Sequence, residues 1–192
     1  MAKQSDEQQQ AKIEALVKKA QAGNTQAFAK IYQHFADSIY RFCLFKVSNK
    51  QDAQDLTSET FQRIWRFLDK YQQDNFRAYL FTTARNLIYD HYKKKAKENT
   101  TNLDDCSWLT DDEAKKQVNK LIDQETYKQL YRAMKQLPDH YREVIQLRIV
   151  EELSIKETTK VMNRSSVSVR VLQHRALKKL RKIMNQLTKK NQ

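Results

Sequence analysis

Glycine and proline are almost absent from this sequence, whose 192 residues include one of each. Sheets joined by tight turns and glycine-rich phosphate loops depend on these residues, so their scarcity argues for an almost entirely helical protein. Cysteine is scarce too: Cys43 and Cys106 lie neither in a CxxC spacing nor beside a histidine partner in a motif. The sequence therefore indicates neither a disulfide framework nor a zinc site.

Long apolar runs are also missing. No stretch is long enough to span a bilayer, and residues 1–10 are polar and glutamine-rich, without the apolar core of a signal peptide. We expect a cytoplasmic protein without membrane insertion, whose residues 1–10 are disordered. There is no paired-carboxylate, Ser-His or metal-ligand constellation, so we predict no catalytic residues, metal or cofactor and do not expect an enzyme.

Charge is abundant and unevenly distributed. The formal net charge of +13, with a pI near 9.7, favours a polyanionic partner, for which nucleic acid is the commonest and a membrane surface the rival. From Glu98 to Glu113 the balance reverses, since this stretch has acidic residues but no Lys or Arg. We interpret residues 98–120 as a flexible acidic linker, either simply solvated or imitating nucleic acid in another protein's basic channel.

Hydrophobic spacing predicts helices on both sides of the linker. We therefore predict an all-α protein of two small helical domains, a bundle over residues 11–97 and a helix-turn-helix domain over 121–185, followed by a basic tail over 186–192.

The bundle begins with a predicted helix over residues 11–22, which Gly23 ends in a left-handed conformation. Asn24 or Thr25 then caps a second helix. Apolar residues of this helix recur at helical spacing and are predicted to be core: Phe28, Ile31, Tyr32, Phe35, Ile39, Phe42 and Cys43.

The stretch from Asp52 to Lys70 is predicted to pack one face inward, with Thr57, Phe61, Ile64, Trp65 and Leu68. The opposite face then carries Asp52, Asp55, Leu56, Glu59 and Arg66. Carboxylates beside an exposed leucine suit a protein partner, since phosphate would repel them. The alternative for the acidic residues is that they simply favour the positive first turn of a helix.

The following helix, to Lys95, is predicted to bury Phe76, Leu80, Ala84, Leu87 and Ile88. Its other face carries Thr82, Arg85, Asn86, Tyr89 and Lys93. Cations, an amide and an aromatic ring on one solvated surface are typical of binding to single-stranded nucleic acid, through backbone charge and base stacking.

Beyond the linker, an apolar stripe that ends at Pro138 predicts a helix: Leu121, Ile122, Tyr127, Leu130, Tyr131, Met134 and Leu137. Asp139 is predicted to cap a helix from 140 to about 150. A short helix over about 154–162 follows, and Asn163 is predicted to turn the chain in the left-handed conformation.

Ser165 is predicted to cap the last helix, which completes a helix-turn-helix outline. One side of this helix is predicted to face inward, with Val169, Leu172, Ala176, Leu177, Leu180 and Ile183. The other side offers arginines and valines, which suit the major groove because Arg can read guanine and Val can contact a thymine methyl group.

Three runs in this order resemble the bacterial sigma factors of the extracytoplasmic-function group of the sigma-70 family. They are DAQDLTSETFQRIWRFLDKY from Asp52, FRAYLFTTARNLIYDHYKKK from Phe76 and LPDHYREVIQLRIVEELSIKETTKVMNRSSVSVRVLQHRALKKLR from Leu137. The resemblance implies that the domain over 11–97 corresponds to sigma region 2, that over 121–185 to region 4, and the acidic linker to the segment that enters the polymerase cleft.

The resemblance also implies roles for individual residues. Docking on the clamp helices of the polymerase beta-prime subunit falls on Asp52, Asp55, Leu56, Glu59 and Arg66. Binding of the minus-ten element falls on Tyr71, Asn75, Phe76, Arg77, Arg85, Asn86, Tyr89 and Lys93. Reading of the minus-thirty-five element falls on Ser165, Ser166, Val167, Ser168, Arg170, Val171, His174, Arg175 and Lys178. Region 4 also touches the beta flap, and an anti-sigma factor is a further expected partner.

The expected function is therefore that of a dissociable initiation subunit, which directs core RNA polymerase to promoters and helps to melt them. One alternative is a helix-turn-helix regulator that binds duplex DNA without polymerase. Another is an adaptor that sequesters polymerase without DNA selectivity. The acidic face disfavours the first alternative, and the recognition helix disfavours the second.

Overall fold

The structure, a computed structural model, describes residues 2–47, 49–72, 75–97 and 124–190. The chain divides into two compact units, residues 1–106 and 107–192, which we describe separately. All regular elements of the described residues are helical, and the predicted all-α class is confirmed.

The first unit contains α1 (Ala2–Gln21), α2 (Thr25–Val47), α3 (Lys50–Arg66), a 3₁₀ turn (Leu68–Lys70) and α4 (Phe76–Lys97). Helix α1 begins at Ala2, so the prediction of disorder over residues 1–10 is wrong.

Local signals set the boundaries between these helices. Gly23 has a φ of +88°, the left-handed conformation predicted after α1. The Asn24 side chain accepts a hydrogen bond from the Ala27 amide at 2.9 Å, so Asn24 rather than Thr25 caps α2. Asn49 caps α3 in the same way, by accepting a hydrogen bond from the Asp52 amide.

The core of the first unit is built on aromatic rings. The centroids of Phe42 and Phe81, both fully buried, lie 5.4 Å apart and join α2 to α4. The core residues predicted on α2, α3 and α4 are buried, except that Phe28 is half-buried and Tyr32 and Trp65 are 44% and 41% exposed. Each stacks at the rim instead, Tyr32 on Phe61 and Trp65 on Phe28, with centroids 4.7 Å apart in both pairs. The inward prediction for these two rings is wrong, since they cover the core without entering it.

The second unit contains α5 (Gln124–Lys135), α6 (Asp139–Ile145), a π-helical segment (Gln146–Val150), α7 (Ile155–Met162) and α8 (Ser166–Lys190). Helix α6 is preceded by Pro138 as its N-cap, so the prediction that Asp139 caps it is wrong by one residue. Asp139 lies in the first turn instead, where its carboxylate pairs with Arg142 at 3.3 Å.

The core of the second unit is aliphatic, with Val144, Leu147, Leu153, Val161 and Val169 almost completely buried. Leu177 is exposed, contrary to its predicted inward position on α8. Met134 and Leu137 are buried as predicted.

Several predictions lie outside the described residues. These are the start of the helix before Pro138, with Leu121 and Ile122, and the acidic linker over 98–120. Of the predicted basic tail, the part up to Lys190 belongs to α8.

Candidate functional site

The exposed side of α3 forms a shallow groove lined by Asp55, Ser58, Glu59, Gln62, Arg63 and Arg66. We call this set the α3 groove. The Glu59 carboxylate pairs with Arg63 at 3.2 Å, and Asp55 accepts a hydrogen bond from Gln51 at 3.1 Å. Both bonds run along one side of the helix at i, i+4 spacing, so they hold the carboxylates at the surface. Of the predicted docking residues, Asp55, Glu59 and Arg66 line this groove.

Leu56 and Asp52, the other two predicted docking residues, do not line the α3 groove. Leu56 is 4% exposed, and the prediction that it lies on the outer face is wrong. It shares an inward stripe with Ala53 and Thr60, because residues three and four apart lie on one face of a helix. Asp52 is turned towards α4, where its Oδ2 atom lies 2.7 Å from Lys95 Nζ and 3.2 Å from His91 Nε2.

A second surface lies on α4 and consists of Arg85, Asn86, Tyr89 and Lys93, which we call the α4 face. The Arg85 guanidinium lies over the Tyr89 ring, 4.7 Å from its centroid, and also donates a hydrogen bond to the Tyr89 hydroxyl at 3.0 Å. Tyr89 is 51% exposed, so one side of the ring remains accessible. With Asn86 and Lys93 exposed beside it, the structure brings together the cation, amide and ring that the sequence predicted.

Other residues predicted to contact the minus-ten element are not at the surface. Tyr71, Asn75 and Phe76 are buried, and Arg77 is half-buried. The Asn75 side chain caps α4 by accepting a hydrogen bond from the Ala78 amide at 2.8 Å. The Tyr71 and Phe76 rings meet edge to face with centroids 5.6 Å apart. Tyr71, Asn75 and Phe76 therefore support the start of α4. Phe76 is buried, as its helical spacing predicted, and the minus-ten contacts implied for the three residues stay a prediction.

Helix α1 reaches the same region, which the sequence did not indicate. Gln21 Nε2 donates hydrogen bonds to the carbonyl oxygens of Leu68 and Tyr71, at 3.0 and 2.8 Å. Glu14 Oε1 accepts a hydrogen bond from the Phe76 amide at 3.1 Å. These partners are between 47 and 62 positions apart in the chain, so no local spacing could have revealed them.

In the second unit, α7 and α8 form the predicted helix-turn-helix. Ser154 and Glu157 make a complete capping box at the start of α7. Asn163 adopts the left-handed conformation between the helices, with φ 51° and ψ 52°, as predicted. Ser165 caps α8 by accepting a hydrogen bond from the Ser168 amide at 3.2 Å, also as predicted.

The outer side of α8 presents the predicted reading residues together. Val167 and Val171 are 66% and 43% exposed. The other exposed members of this α8 face are Ser165, Ser166, Arg170, His174, Arg175 and Lys178, and Ser168 is half-buried. Fully buried Val169 and Ala176 fix the rotation of the helix about its axis, so the two valines and the cations point outward.

Arg148, in the π-helical segment, makes structural contacts that the sequence did not indicate. Its Nε atom donates a hydrogen bond to Gln173 Oε1 at 3.2 Å, and its Nη1 atom donates to the carbonyl of Leu153. The side chain thus connects α8 to the turn before α7. Glu152 in that turn has a φ of +52°, although it is not glycine.

Other kinds of site receive no support from the described residues. Burial raises the pKa of the Cys43 thiol to about 12, against a smaller lowering by its hydrogen bond with Thr57, so this cysteine is a core residue. Within the described ranges, no group of three or more His, Cys, Asp or Glu is placed to hold a metal ion. None of the helices described has the length and apolar character needed to cross a membrane.

Comparison with known proteins matches each unit to a region of one family. Residues 31–98 match Sigma-70 region 2, and residues 127–180 match Sigma-70, region 4. The chain is 32% identical over 139 residues to the ECF RNA polymerase sigma factor SigM of Bacillus subtilis, an alignment that covers 72% of this chain and 83% of SigM. This chain belongs to the ECF sigma factors of the sigma-70 family.

Further relatives agree with this assignment. The sigma factor is 32% identical over 164 residues to the ECF RNA polymerase sigma factor BldN of Streptomyces coelicolor, covering 83% of this chain and 61% of BldN. In fold it resembles CnrH, solved in complex with the cytosolic domain of CnrY, with a TM-score of 0.68 and 22% identity over 89% of this chain and 96% of that one. The family assignment confirms the predicted sigma factor, and the alternative of a regulator that acts without polymerase is not favoured.

Proposed function

We propose that this sigma factor uses its three surfaces for three separate contacts in transcription initiation. The α3 groove docks on core RNA polymerase, the α4 face takes unpaired bases of the minus-ten element, and the α8 face reads the minus-thirty-five element. The observation that carries the proposal is the difference in charge between two surfaces of the first unit. Asp55 and Glu59 share the α3 groove with arginines, whereas the α4 face offers Arg85, Lys93 and an aromatic ring without a carboxylate.

Docking on a protein is supported by the mixed charge of the α3 groove. Asp55 and Glu59 would repel phosphate, yet Arg66 lies in the same groove. A surface with both signs fits a partner that offers both signs in return, which favours protein over nucleic acid. By the family resemblance, the partner is the clamp-helix region of the polymerase beta-prime subunit. The polar, open character of the groove also allows a reversible contact, as an exchangeable subunit requires.

Capture of single-stranded DNA is supported by the pairing of Arg85 with Tyr89. The guanidinium contacts the ring and the hydroxyl together, so the ring is already oriented before a base arrives. Stacking of one base on an aromatic ring contributes about 1 to 3 kcal/mol in single-strand binding. Such binding favours the melted promoter without any chemical step. We accordingly propose a non-catalytic subunit that works in the cytoplasm.

Duplex reading is supported by the exposed valines and arginines at the beginning of α8. Val167 and Val171 suit thymine methyl groups, while Arg170 and Arg175 suit guanine edges or phosphates. Phosphate contacts by these cations predict an affinity that falls with salt, by a log-log slope of about 0.9 for each phosphate neutralised. We also propose an anti-sigma factor as a partner that covers one of these surfaces.

Run-off transcription with purified core polymerase and a pool of genomic promoter fragments tests the proposal. The intact protein should produce discrete new transcripts. The double variant Asp55→Lys, Glu59→Lys should not, because reversing both carboxylates places like charges opposite the partner. Asp37→Lys is the control, since it reverses the charge of an exposed carboxylate outside the α3 groove.

The proposal fails if the intact protein gives no new transcript, or if the groove variant and the control are equally active. Direct binding separates the causes of lost activity, because the groove variant should lose affinity for core polymerase and still bind duplex DNA through α8.

The α4 face has its own test. Tyr89→Ala should weaken binding of the holoenzyme to a single-stranded oligonucleotide of the minus-ten element by about tenfold, the loss of roughly one stacking contact. Tyr89→Phe keeps the ring and should retain most of the affinity. Equal binding by the alanine variant and the intact protein would remove Tyr89 from the proposed site.

A further inference from the structure

The connection between α3 and α4 is anchored by a helix that lies far away in sequence. Tyr71, at the middle of this connection, receives one hydrogen bond from the side chain of Gln21, whose Nε2 atom lies 2.8 Å from the Tyr71 carbonyl oxygen. The same Nε2 atom lies 3.0 Å from the carbonyl oxygen of Leu68. One amide group of α1 therefore joins the beginning and the end of the 3₁₀ turn.

The start of α4 receives a second anchor from the same helix. The amide of Phe76 is one of the first N–H groups of α4, which have no partner within the helix. Glu14 Oε1 accepts a hydrogen bond from it at 3.1 Å. A carboxylate is favoured at this end of a helix because the helix dipole is positive there. Glu14 thus adds a long-range cap to the local cap that Asn75 provides.

These two side chains are well placed to act together. Glu14 and Gln21 are seven residues apart, so they lie on one side of α1 about 10 Å from each other. Helix α1 is itself fixed to the first unit, because Ile13, Val17 and Ala20 are buried. It therefore contacts both described ends of the connection, the 3₁₀ turn and the start of α4, from one rigid support.

We propose that Glu14 and Gln21 are positioning residues for recognition of the minus-ten element. This inference rests on the proposed function of the α4 face. Both side chains act through the backbone, since their partners are the carbonyl oxygens of Leu68 and Tyr71 and the amide of Phe76. By holding the start of α4 in place, these hydrogen bonds fix the helix that carries the α4 face. Less conformational entropy is then lost when an unpaired base binds there, and affinity and selectivity increase accordingly.

The experiment uses holoenzyme assembled with core polymerase and a fluorescent single-stranded oligonucleotide. One oligonucleotide carries the non-template minus-ten sequence of a promoter found by run-off transcription, and the other a scrambled sequence. Gln21→Met and Glu14→Met remove the hydrogen bonds while nearly keeping the length of each side chain. Glu14→Gln keeps an acceptor for the Phe76 amide. Gln33→Met is the matched control, because Gln33 is an exposed glutamine in the interior of α2.

Gln21→Met and Glu14→Met should lower the preference for the minus-ten sequence over the scrambled one by about tenfold, the order expected for the loss of part-buried hydrogen bonds. Glu14→Gln should stay within about twofold of the intact protein, and Gln33→Met should not differ from it. Affinity for core polymerase and for a minus-thirty-five duplex should be unchanged in all four variants, which a general loss of structure would not allow.

The inference is overturned if Gln21→Met and Glu14→Met keep the preference of the intact protein. It is also overturned if they lose affinity for core polymerase in the same proportion, or if Glu14→Gln is as poor as Glu14→Met, because the two residues would then be merely structural. If the intact holoenzyme itself shows no preference for the minus-ten sequence, the proposed function of the α4 face fails and this inference fails with it.

Discussion

The two units are both helical, yet their cores differ in kind. The first unit joins its helices through large rings, with Phe42 against Phe81 and Phe35 against Phe76 at centroid distances of 5.4 and 6.2 Å. The second unit is closed by branched aliphatic side chains, among them fully buried Leu147 and Leu153.

The difference between the two cores corresponds to how each unit presents its proposed binding surfaces. The α3 groove and the α4 face lie on separate helices, so their relative positions depend on a core that fixes several helices at once. The α8 face lies on one helix, and its orientation depends on buried Val169 and Ala176, on the short turn before the helix and on local caps such as Ser165. A platform of several helices needs a large rigid core, whereas a single reading helix needs a well-defined turn.

The largest effect should come from Phe42→Ala, which removes a fully buried ring from the first unit. Large cavities of this kind cost about 3 to 5 kcal/mol of unfolding free energy. Chemical denaturation followed by circular dichroism should show an early transition for the first unit, while a minus-thirty-five duplex still binds α8. Loss of that binding at the same denaturant concentration would contradict the independence of the two cores.

A smaller effect is expected in the second unit from Ser154→Ala. This change removes the Ser154 side of the capping box, in which Ser154 Oγ accepts from the Glu157 amide at 3.2 Å. Loss of such a cap costs about 1 kcal/mol. The second unit should unfold earlier and bind the minus-thirty-five duplex more weakly, with the first unit unaffected. Thr159→Ser, which keeps the hydroxyl that donates to the Lys156 carbonyl on the same helix, is the control.

Alkaline pH should act on the first unit through Cys43. Burial raises the pKa of this thiol from 9.0 to about 12, so between these values the thiol ionises in the unfolded chain and stays protonated in the folded one. The stabilisation is complete below about pH 9 and is lost as the pH rises towards 12. The loss should be about 1 kcal/mol at pH 10. Denaturant midpoints from pH 8 to 11 measure it, and Cys43→Ala should show a shallower decline despite lower stability at pH 8.

The smallest effect should come from Asp52→Asn. The Asp52 carboxylate pairs with Lys95 at 2.7 Å and with His91 at 3.2 Å, but Lys95 is largely exposed, and such pairs contribute less than about 1 kcal/mol. Stability should hardly change, and affinity for core polymerase should fall less than in the Asp55→Lys, Glu59→Lys variant. A loss of core binding as large as in that variant would place Asp52 in the docking surface, as the sequence predicted.

Local signals account for the successful parts of the sequence-based interpretation. Gly23 and Asn163 adopt the left-handed conformation at helix ends, and Ser165 caps α8, as their residue types favour. These features could be predicted because capping involves neighbours only a few positions away. The stripe from Phe76 to Ile88 is buried for the same reason, since helical periodicity is local.

The failures concern residues whose environment depends on how helices pack. Leu56 and Trp65 exchanged their expected places, with Leu56 buried and Trp65 at the rim on Phe28. Both lie near the edge of the inward stripe of α3, and periodicity alone cannot say how far a neighbouring helix extends over that edge. Likewise, the resemblance assigned DNA contacts to Tyr71 and Asn75 without indicating that both side chains are buried.

By itself, the sequence determined that the protein is helical, that it has two helical regions and that they resemble a sigma factor. Scarce glycine and proline, apolar periodicity and three long motifs carry this information, and each can be read along the chain. Only the tertiary structure decided which carboxylates line the α3 groove, that Asp52 is paired with α4, and that Glu14 and Gln21 contact the connection before α4. For Asp52, Glu14 and Gln21, the physical reason is that their contacts join residues more than forty positions apart, which the packing of the helices brings together.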